Sequence, residues 1–257
     1  MSGPAGLDLA PLRAWLAGPL DCPAGDLTAE LIDGGRSNLT YQLRAGQRRW
    51  VLRRPPLGHV LATAHDMARE YRVMSALGTA GLPVPGMVLF EPDASVIGAP
   101  FFVMEFVDGL VIRGPDDARR LTARDAARAA DDLVDQLVAL HGVPPAAAGL
   151  GTLGRPEGYL HRQIGRWQQQ WDASSGAGTG LPLTELADAL RARMPGASPA
   201  AIVHGDYRLD NTILAASDPG RVAAIIDWEM ATLGDPLADL GLLLTYWDPR
   251  SAPVTGA

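Results

Sequence analysis

Two short segments hold most of the residues that could do chemistry. The first, "HGDYRLDN" (204–211), follows the apolar run Ala201-Ile202-Val203 and gathers a histidine, two aspartates, an arginine and an asparagine within eight positions. The second, "IIDWE" (225–229), sets Asp227 directly after another apolar run, with 20 residues between Asp206 and Asp227. If the runs 201–203 and 222–226 pair as strands, Asp206, Asn211 and Asp227 meet at one end of them. Carboxylate and amide oxygens are hard donors, suited to Mg²⁺ and not to zinc. Phosphoryl transfer needs this set: a carboxylate to take a hydroxyl proton, and oxygens to hold metal on the phosphates. Asp206 is then the candidate base, with Asn211 and Asp227 the candidate metal ligands. The alternative is that polar residues simply populate turns, which accounts for either segment alone.

Other chemistries lack their residues. "GLGTLG" (149–154) matches the dinucleotide fingerprint by letter, but it follows "PPAAA" and not a strand. A Walker loop needs lysine, and all 22 basic residues are arginine. There is no His-Glu-x-x-His pair and no Gly-x-Ser-x-Gly elbow. The five histidines are scattered, which argues against a zinc cluster. His141 and His161 read as ordinary helix residues.

The 257 residues are 47% hydrophobic, enough for one large domain or two lobes. A net charge of −7 argues against a nucleic-acid surface. The lone Cys22 cannot form an internal disulfide and suits a reducing cytoplasm. The N-terminus lacks the basic start and apolar core of a signal peptide. The run "LADLGLLLTYW" is too short to span a bilayer and contains Asp239. The expectation is a cytoplasmic protein with no membrane segment and a small-molecule partner.

The elements that must carry these residues change character along the chain. A short amphipathic helix is expected at 7–18, then strands in "LTAELID", "NLTYQLR" and "RRWVLRR", the first two joined by the turn "GGRS". A helix over 63–78 follows, with Thr63 as its cap, and then strands "GMVLFE" and "PFFVMEFV". After Gly109 the pattern turns helical: "TARDAARAADDLVDQLVALHG" between Thr122 and Gly142, then "EGYLHRQIGRWQQQWDA" and "PLTELADALRARMPG", and lastly a buried helix in "PLADLGLLLTYW". The fold class is α+β, a small β-rich lobe at 1–106 and a mainly helical lobe at 107–257.

"HGDYRLDN" followed by "IIDWE" resembles the aminoglycoside phosphotransferase family, which has a bilobal protein-kinase-like fold. The resemblance runs from about residue 28 onward and implies an ATP- and Mg²⁺-dependent kinase acting on a hydroxyl of a small molecule. It implies a basic residue on the third strand for the ATP phosphates: Arg53 of "WVLRRP" stands where lysine is usual, with Glu70 of the next helix to brace it. Arginine can grip phosphate oxygens bidentately, though with a different reach. Gly34, Gly35, Ser37 and Asn38 would form the loop over the nucleotide, the latter two as side-chain donors. Met104 would back the adenine pocket, and the backbone from Glu105 to Val107 would bond the base. Arg208 falls near the place of a kinase lysine beside the transferred phosphoryl group. Asp239 looks like the buried aspartate that braces the catalytic loop. Asp235 reads as a helix cap.

"LGRPEGYLHRQIGRWQQQW" is similar to phosphotransferase-like domains found alone in bacteria or fused to acyl-CoA dehydrogenases. That similarity implies a hydroxylated acyl-CoA-like acceptor. Arg162, Arg166, Trp167 and Trp171 suit an anionic or partly apolar ligand better than a polycation. Relatives of this kind continue for several helices beyond Asp239, so the helical lobe is expected to be truncated in this sequence. A second reading is a nucleotide-binding pseudokinase acting as a binding module, given Arg53 in place of lysine. A metal-dependent phosphohydrolase suits the carboxylates but leaves Arg53, Glu70 and the hinge strand without a task.

Overall fold

The computed structural model describes residues 4–32, 38–57, 66–174, 183–196 and 198–247. In chain order its elements are α1 (Leu9–Leu16), β1 (Thr28–Leu31), β2 (Leu39–Ala45), β3 (Arg48–Arg54), α2 (Met67–Thr79), β4 (Met87–Glu91), β5 (Phe101–Glu105), β6 (Gly109–Leu110), α3 (Pro115–Ala118), α4 (Ala123–Gly142), α5 (Tyr159–Ser174) and α6 (Leu183–Ala192). The last third adds β7 (Ala201–Val203), β8 (Thr212–Ala215), β9 (Asp218–Ile225), β10 (Thr232–Gly234) and α7 (Leu237–Trp247). Two compact units result, one drawn from 1–136 and 209–229, the other from 137–208 and 230–257.

In the first unit, β1 to β5 form an antiparallel sheet in the order β1-β2-β3-β5-β4. The expected run of three strands, a helix and two strands is present. Strand residues alternate faces. Trp50 and Leu52 therefore join a core with Tyr41, Leu43, Phe101, Val103 and the α1 residues Leu12 and Leu16. Val51 and Arg53 take the other face, opposite Met104 and Phe102 of β5. Tyr71 of α2 reaches Phe102 on that face, with ring centroids 6.5 Å apart. The two adjacent arginines are thus separated by the pleat. Arg54 points the other way and donates to the Gly6 and Ile97 carbonyls at 2.8 and 3.0 Å.

Three expectations need correction. Helix α2 is capped by Asp66, whose carboxylate accepts the Arg69 N–H at 3.0 Å; Thr63 lies outside the described residues. A carboxylate both satisfies a free N–H and complements the helix dipole, so it caps well. Segments 201–203 and 222–226 do not pair with each other. Strand β9 takes β8, its hairpin neighbour, and β7 takes β10. Short connections close with less loss of chain entropy, so the apolar "TIL" right after the polar loop is the nearer partner. Finally, α7 is not wholly buried. Asp239 and Leu243 are covered, while Leu237, Leu240, Leu244 and Trp247 are 40–60% exposed. Their spacing puts them on one helix face, and a run this rich in apolar residues does not say which face is covered.

In the second unit, "GLGTLG" forms a turn. Leu150 and Leu153 are buried, and Gly154 lies so close to Thr232 and Leu233 that no side chain would fit. Among the described residues no helix is long and apolar enough to cross a membrane.

Candidate active site

In the first unit a charged cluster assembles around Arg53, which is about one-tenth exposed. Its Nη1 lies 3.3 Å from Glu70 Oε1. Its Nη2 donates to Asp227 Oδ1 at 2.5 Å and lies 3.4 Å from Glu229 Oε2. Burial opposes the charge on Arg53, but Glu70, Asp227 and Glu229 outweigh it and hold its pKa above the ordinary arginine value. Glu70 is 2% exposed. Burial pushes its carboxyl up to about 7; Arg53 counteracts this, and the negative charges of Asp227 and Glu229 add to it.

Local backbone explains how Asp227 arrives there. Thr212 pairs with Ile225, and the Ile226 N–H donates to the Asn211 carbonyl at 2.9 Å. Asn211 and Asp227 therefore share one end of the β8–β9 ladder. Asp227 then adopts φ 66°, a left-handed conformation that few residues other than glycine and Asn/Asp tolerate. The following 3₁₀ turn, Trp228–Met230, is anchored by the buried Trp228, whose Nε1–H donates to the Ile225 carbonyl at 3.0 Å. Asn211 ends a 3₁₀ turn of its own, which the Thr212 hydroxyl caps by donating to the Leu209 carbonyl at 2.7 Å.

The second unit builds the loop that carries Asp206. Asp239, 1% exposed, accepts the His204 N–H on Oδ2 and the Gly205 N–H on Oδ1, both at 2.8 Å. His141 Nε2 approaches the same Oδ2 at 3.0 Å. The expected brace is present, and His141 is part of it. The buried His204 accepts the Asp206 N–H on Nδ1 at 3.2 Å, which puts the ring proton on Nε2. Gly205 has φ 86°, and an added Cβ would come within 2.8 Å of the Met230 carbonyl oxygen. The Asp206 carboxylate lies 3.3 Å from Arg208 Nε. Arg208 also donates to the Tyr246 hydroxyl at 3.0 Å and stacks over that ring at 4.9 Å.

Sequence reasoning thus picked residues that fall into two groups. Arg53, Glu70 and Asp227 are in contact within the first unit, where Asn211 flanks Asp227; Asp206 and Arg208 are in contact within the second. Asn38 joins the first group, donating from Nδ2 to Glu229 Oε2 at 2.9 Å. One of its two amide hydrogens is therefore committed, and among the described residues its Oδ1 has no hydrogen-bond partner. Gly34, Gly35 and Ser37 lie outside the described residues. Met104 is buried between Val51 and Met87. Glu105 is at the exposed end of β5, its N–H bonded to the Gly86 carbonyl at 2.8 Å. Val107 follows in the non-strand segment 106–108, which Arg49 holds by stacking on Phe106 and pairing with Asp108. Glu229 and Arg49 were missed. The only signal for Glu229 was its place two residues after Asp227.

Mg²⁺ typically takes one or two protein oxygens and completes its octahedron with water and phosphate. Asn211 and Asp227, two hard donors at one ladder end, fit that habit. Among the described residues no group of three His, Cys, Asp or Glu side chains is placed to hold a metal alone.

A five-stranded sheet with a braced basic residue, and a β8–β9 ladder ending in Asn and Asp, are parts of a kinase-like α+β fold. The chain belongs to the phosphotransferase enzyme family, matching it over residues 28–255. It is 40% identical over 238 residues to acyl-CoA dehydrogenase family member 11 of Gallus gallus, covering 91% of this chain but only 30% of that protein. It is 37% identical over 225 residues to family member 10 of Mus musculus, covering 86% of this chain and 21% of that one. The chain therefore spans under a third of these relatives' length. A provisionally assigned aminoglycoside phosphotransferase of Ralstonia eutropha superposes with TM-score 0.78 at 35% identity, over 95% of this chain and 71% of that one. The aminoglycoside phosphotransferase APH(4)-Ia, solved with ADP and hygromycin B, shares the fold at TM-score 0.64 and 15% identity, over 95% and 83% of the two chains.

Proposed function

We propose that this chain transfers the terminal phosphoryl group of ATP to a hydroxyl of a small molecule. The observation that supports this best is Arg53, buried, braced by Glu70 and bonded to Asp227. A fixed guanidinium beside a hard-oxygen donor pair is the equipment for gripping phosphates, and positioning plus electrostatics is most of what such catalysis requires. Asp206 takes the acceptor's proton and orients its oxygen. Arg208 supplies positive charge toward the transferred group once it leaves Asp206 and Tyr246. Asn211 and Asp227 would hold Mg²⁺, which when bound neutralises charge on the phosphate oxygens. The backbone at Glu105 to Val107, past Met104, bonds the base, and Gly34, Gly35, Ser37 and Asn38 cover the phosphates. A lobe boundary near residue 106 and a cytoplasmic setting, where ATP is supplied and Cys22 stays a free thiol, belong to the same reading.

For the acceptor, we infer a hydroxylated acyl-CoA-like compound. The likeness to acyl-CoA dehydrogenase family members supports it. So does α5, which shows Trp167 at 62% exposure on a helix that also carries Arg166. Asp206→Ala tests the whole assignment. General-base loss typically lowers the rate by about 10²–10⁴-fold, with nucleotide binding retained. ADP release is the measurement, over a panel of hydroxyacyl-CoAs, sugars and aminoglycosides. Undiminished release in the variant with an acceptor validated on the wild type refutes the role.

A further inference from the structure

We propose that Glu229 is a positioning residue for the nucleotide, fixing the Asn38 amide and sharing Arg53 with Asp227; this rests on the phosphotransfer reading above. Its Oε2 accepts from Asn38 Nδ2 at 2.9 Å and lies 3.4 Å from Arg53 Nη2. The same Nη2 donates to Asp227 Oδ1 at 2.5 Å. One carboxylate thus joins the entry to β2, the third strand, and the turn after β9. The two sides divide the guanidinium between them, Glu70 facing Nη1 and Glu229 facing Nη2.

The consequence for Asn38 is specific. An ionised carboxylate has no hydrogen to donate, so it selects one of the two amide orientations: nitrogen toward Glu229, Oδ1 away. Asn38 is 3% exposed, and among the described residues its Oδ1 has no hydrogen-bond partner. A buried acceptor left open is costly unless a donor reaches it. Phosphate oxygens cannot be that donor at neutral pH, but a hydroxyl or water carried in with a bound nucleotide can. Glu229 therefore holds an acceptor ready beside the Arg53 cluster and shares Arg53 Nη2 with Asp227. In this role it acts through Asn38 and Arg53, so its loss should act on the nucleotide and not on the acceptor.

The test is a double-mutant cycle with Glu229→Ala and Asn38→Ala, read by calorimetry with Mg·ADP, which needs no acceptor. Each single variant should weaken Mg·ADP by about tenfold, the scale of one charge-assisted hydrogen bond. The double variant should be little weaker than either, because both remove the same link. KM for ATP should rise in parallel while acceptor KM and kcat stay within about twofold. Glu229→Gln, isosteric and uncharged, should fall between wild type and Glu229→Ala, and it carries the test if the alanine variant does not fold. Wild-type Mg·ADP affinity in a folded Glu229 variant, or strictly additive losses, overturns the proposal and leaves only a structural role. Asp227→Asn separates the two levels. If the wild type binds no Mg·ADP, or if Asp227→Asn keeps full ATP turnover, the phosphotransfer reading falls as well. If Asp227→Asn is inactive while Glu229 variants bind as wild type, only this inference falls.

Discussion

Asp239→Asn isolates what one buried carboxylate does for the loop before Asp206. The carboxylate accepts two backbone N–H groups at 2.8 Å, one on each oxygen, and meets His141 at 3.0 Å. Asparagine in the same place keeps one oxygen and turns an NH₂ toward the second N–H. One buried backbone donor is then unpaired and faces another donor. An unsatisfied buried group costs about 1–3 kcal/mol, and replacing charged by neutral hydrogen bonds costs about 1 kcal/mol more. The sum, about 2–4 kcal/mol, is a large part of the 5–15 kcal/mol that typically separates folded from unfolded protein. Urea unfolding should show a lower midpoint with an unchanged slope. Turnover should fall further than Mg·ADP affinity, because the His204-Gly205 backbone sets the entry to Asp206. His141→Ala, which removes one contact and leaves both N–H acceptors, should cost less, about 1 kcal/mol. A stability change below about 0.5 kcal/mol for Asp239→Asn, or a larger loss in His141→Ala, would refute the reasoning.

Two further outcomes are expected. Glu70 has a folded-state pKa of about 7, raised by burial from 4.5. The folded chain therefore binds a proton that the unfolded chain has already lost; the stabilisation is complete below the unfolded pKa and disappears as pH rises through about 7. Without metal or nucleotide, thermal unfolding of wild type should lose on the order of 1–3 kcal/mol between pH 5 and 8 relative to Glu70→Gln; parallel pH profiles count against it. Gly205→Ala puts a Cβ within 2.8 Å of the Met230 carbonyl at a positive φ. It should cost about 2–4 kcal/mol from backbone strain and overpacking, and a variant as stable in urea as wild type contradicts that.

Much of the candidate site was legible because its residue types are constrained by chemistry. Asp206, Asn211 and Asp227 stand out as hard donors beside apolar runs, while Arg53 was picked over Arg54 through the family resemblance, and the period-2 pleat then explains why the two diverge. Asp239 was legible only through a family resemblance, since an aspartate in an apolar helix does not announce its partners. Strand pairing was not legible. Alternation says which face a residue takes, not which strand lies alongside, so the partners of β7 and β9 were misassigned. Glu229 escaped for a related reason: a glutamate four residues past a strand reads as a turn charge until the 3₁₀ turn carries it back to Arg53. The exposure of Leu240 and Leu244 was invisible because most of α7 is apolar.

The guanidinium at the centre of the cluster changes how this protein can be found. Acylating nucleotide probes label kinases by reacting with an amine beside the phosphates. Arg53 offers no such amine, and the sequence contains no lysine at all. Amine-directed profiling would pass over this site however tightly it held a nucleotide, and lysine acetylation cannot silence it. Dicarbonyl reagents, which react with guanidines, are the matching chemistry, with protection by Mg·ATP as their sign of engagement.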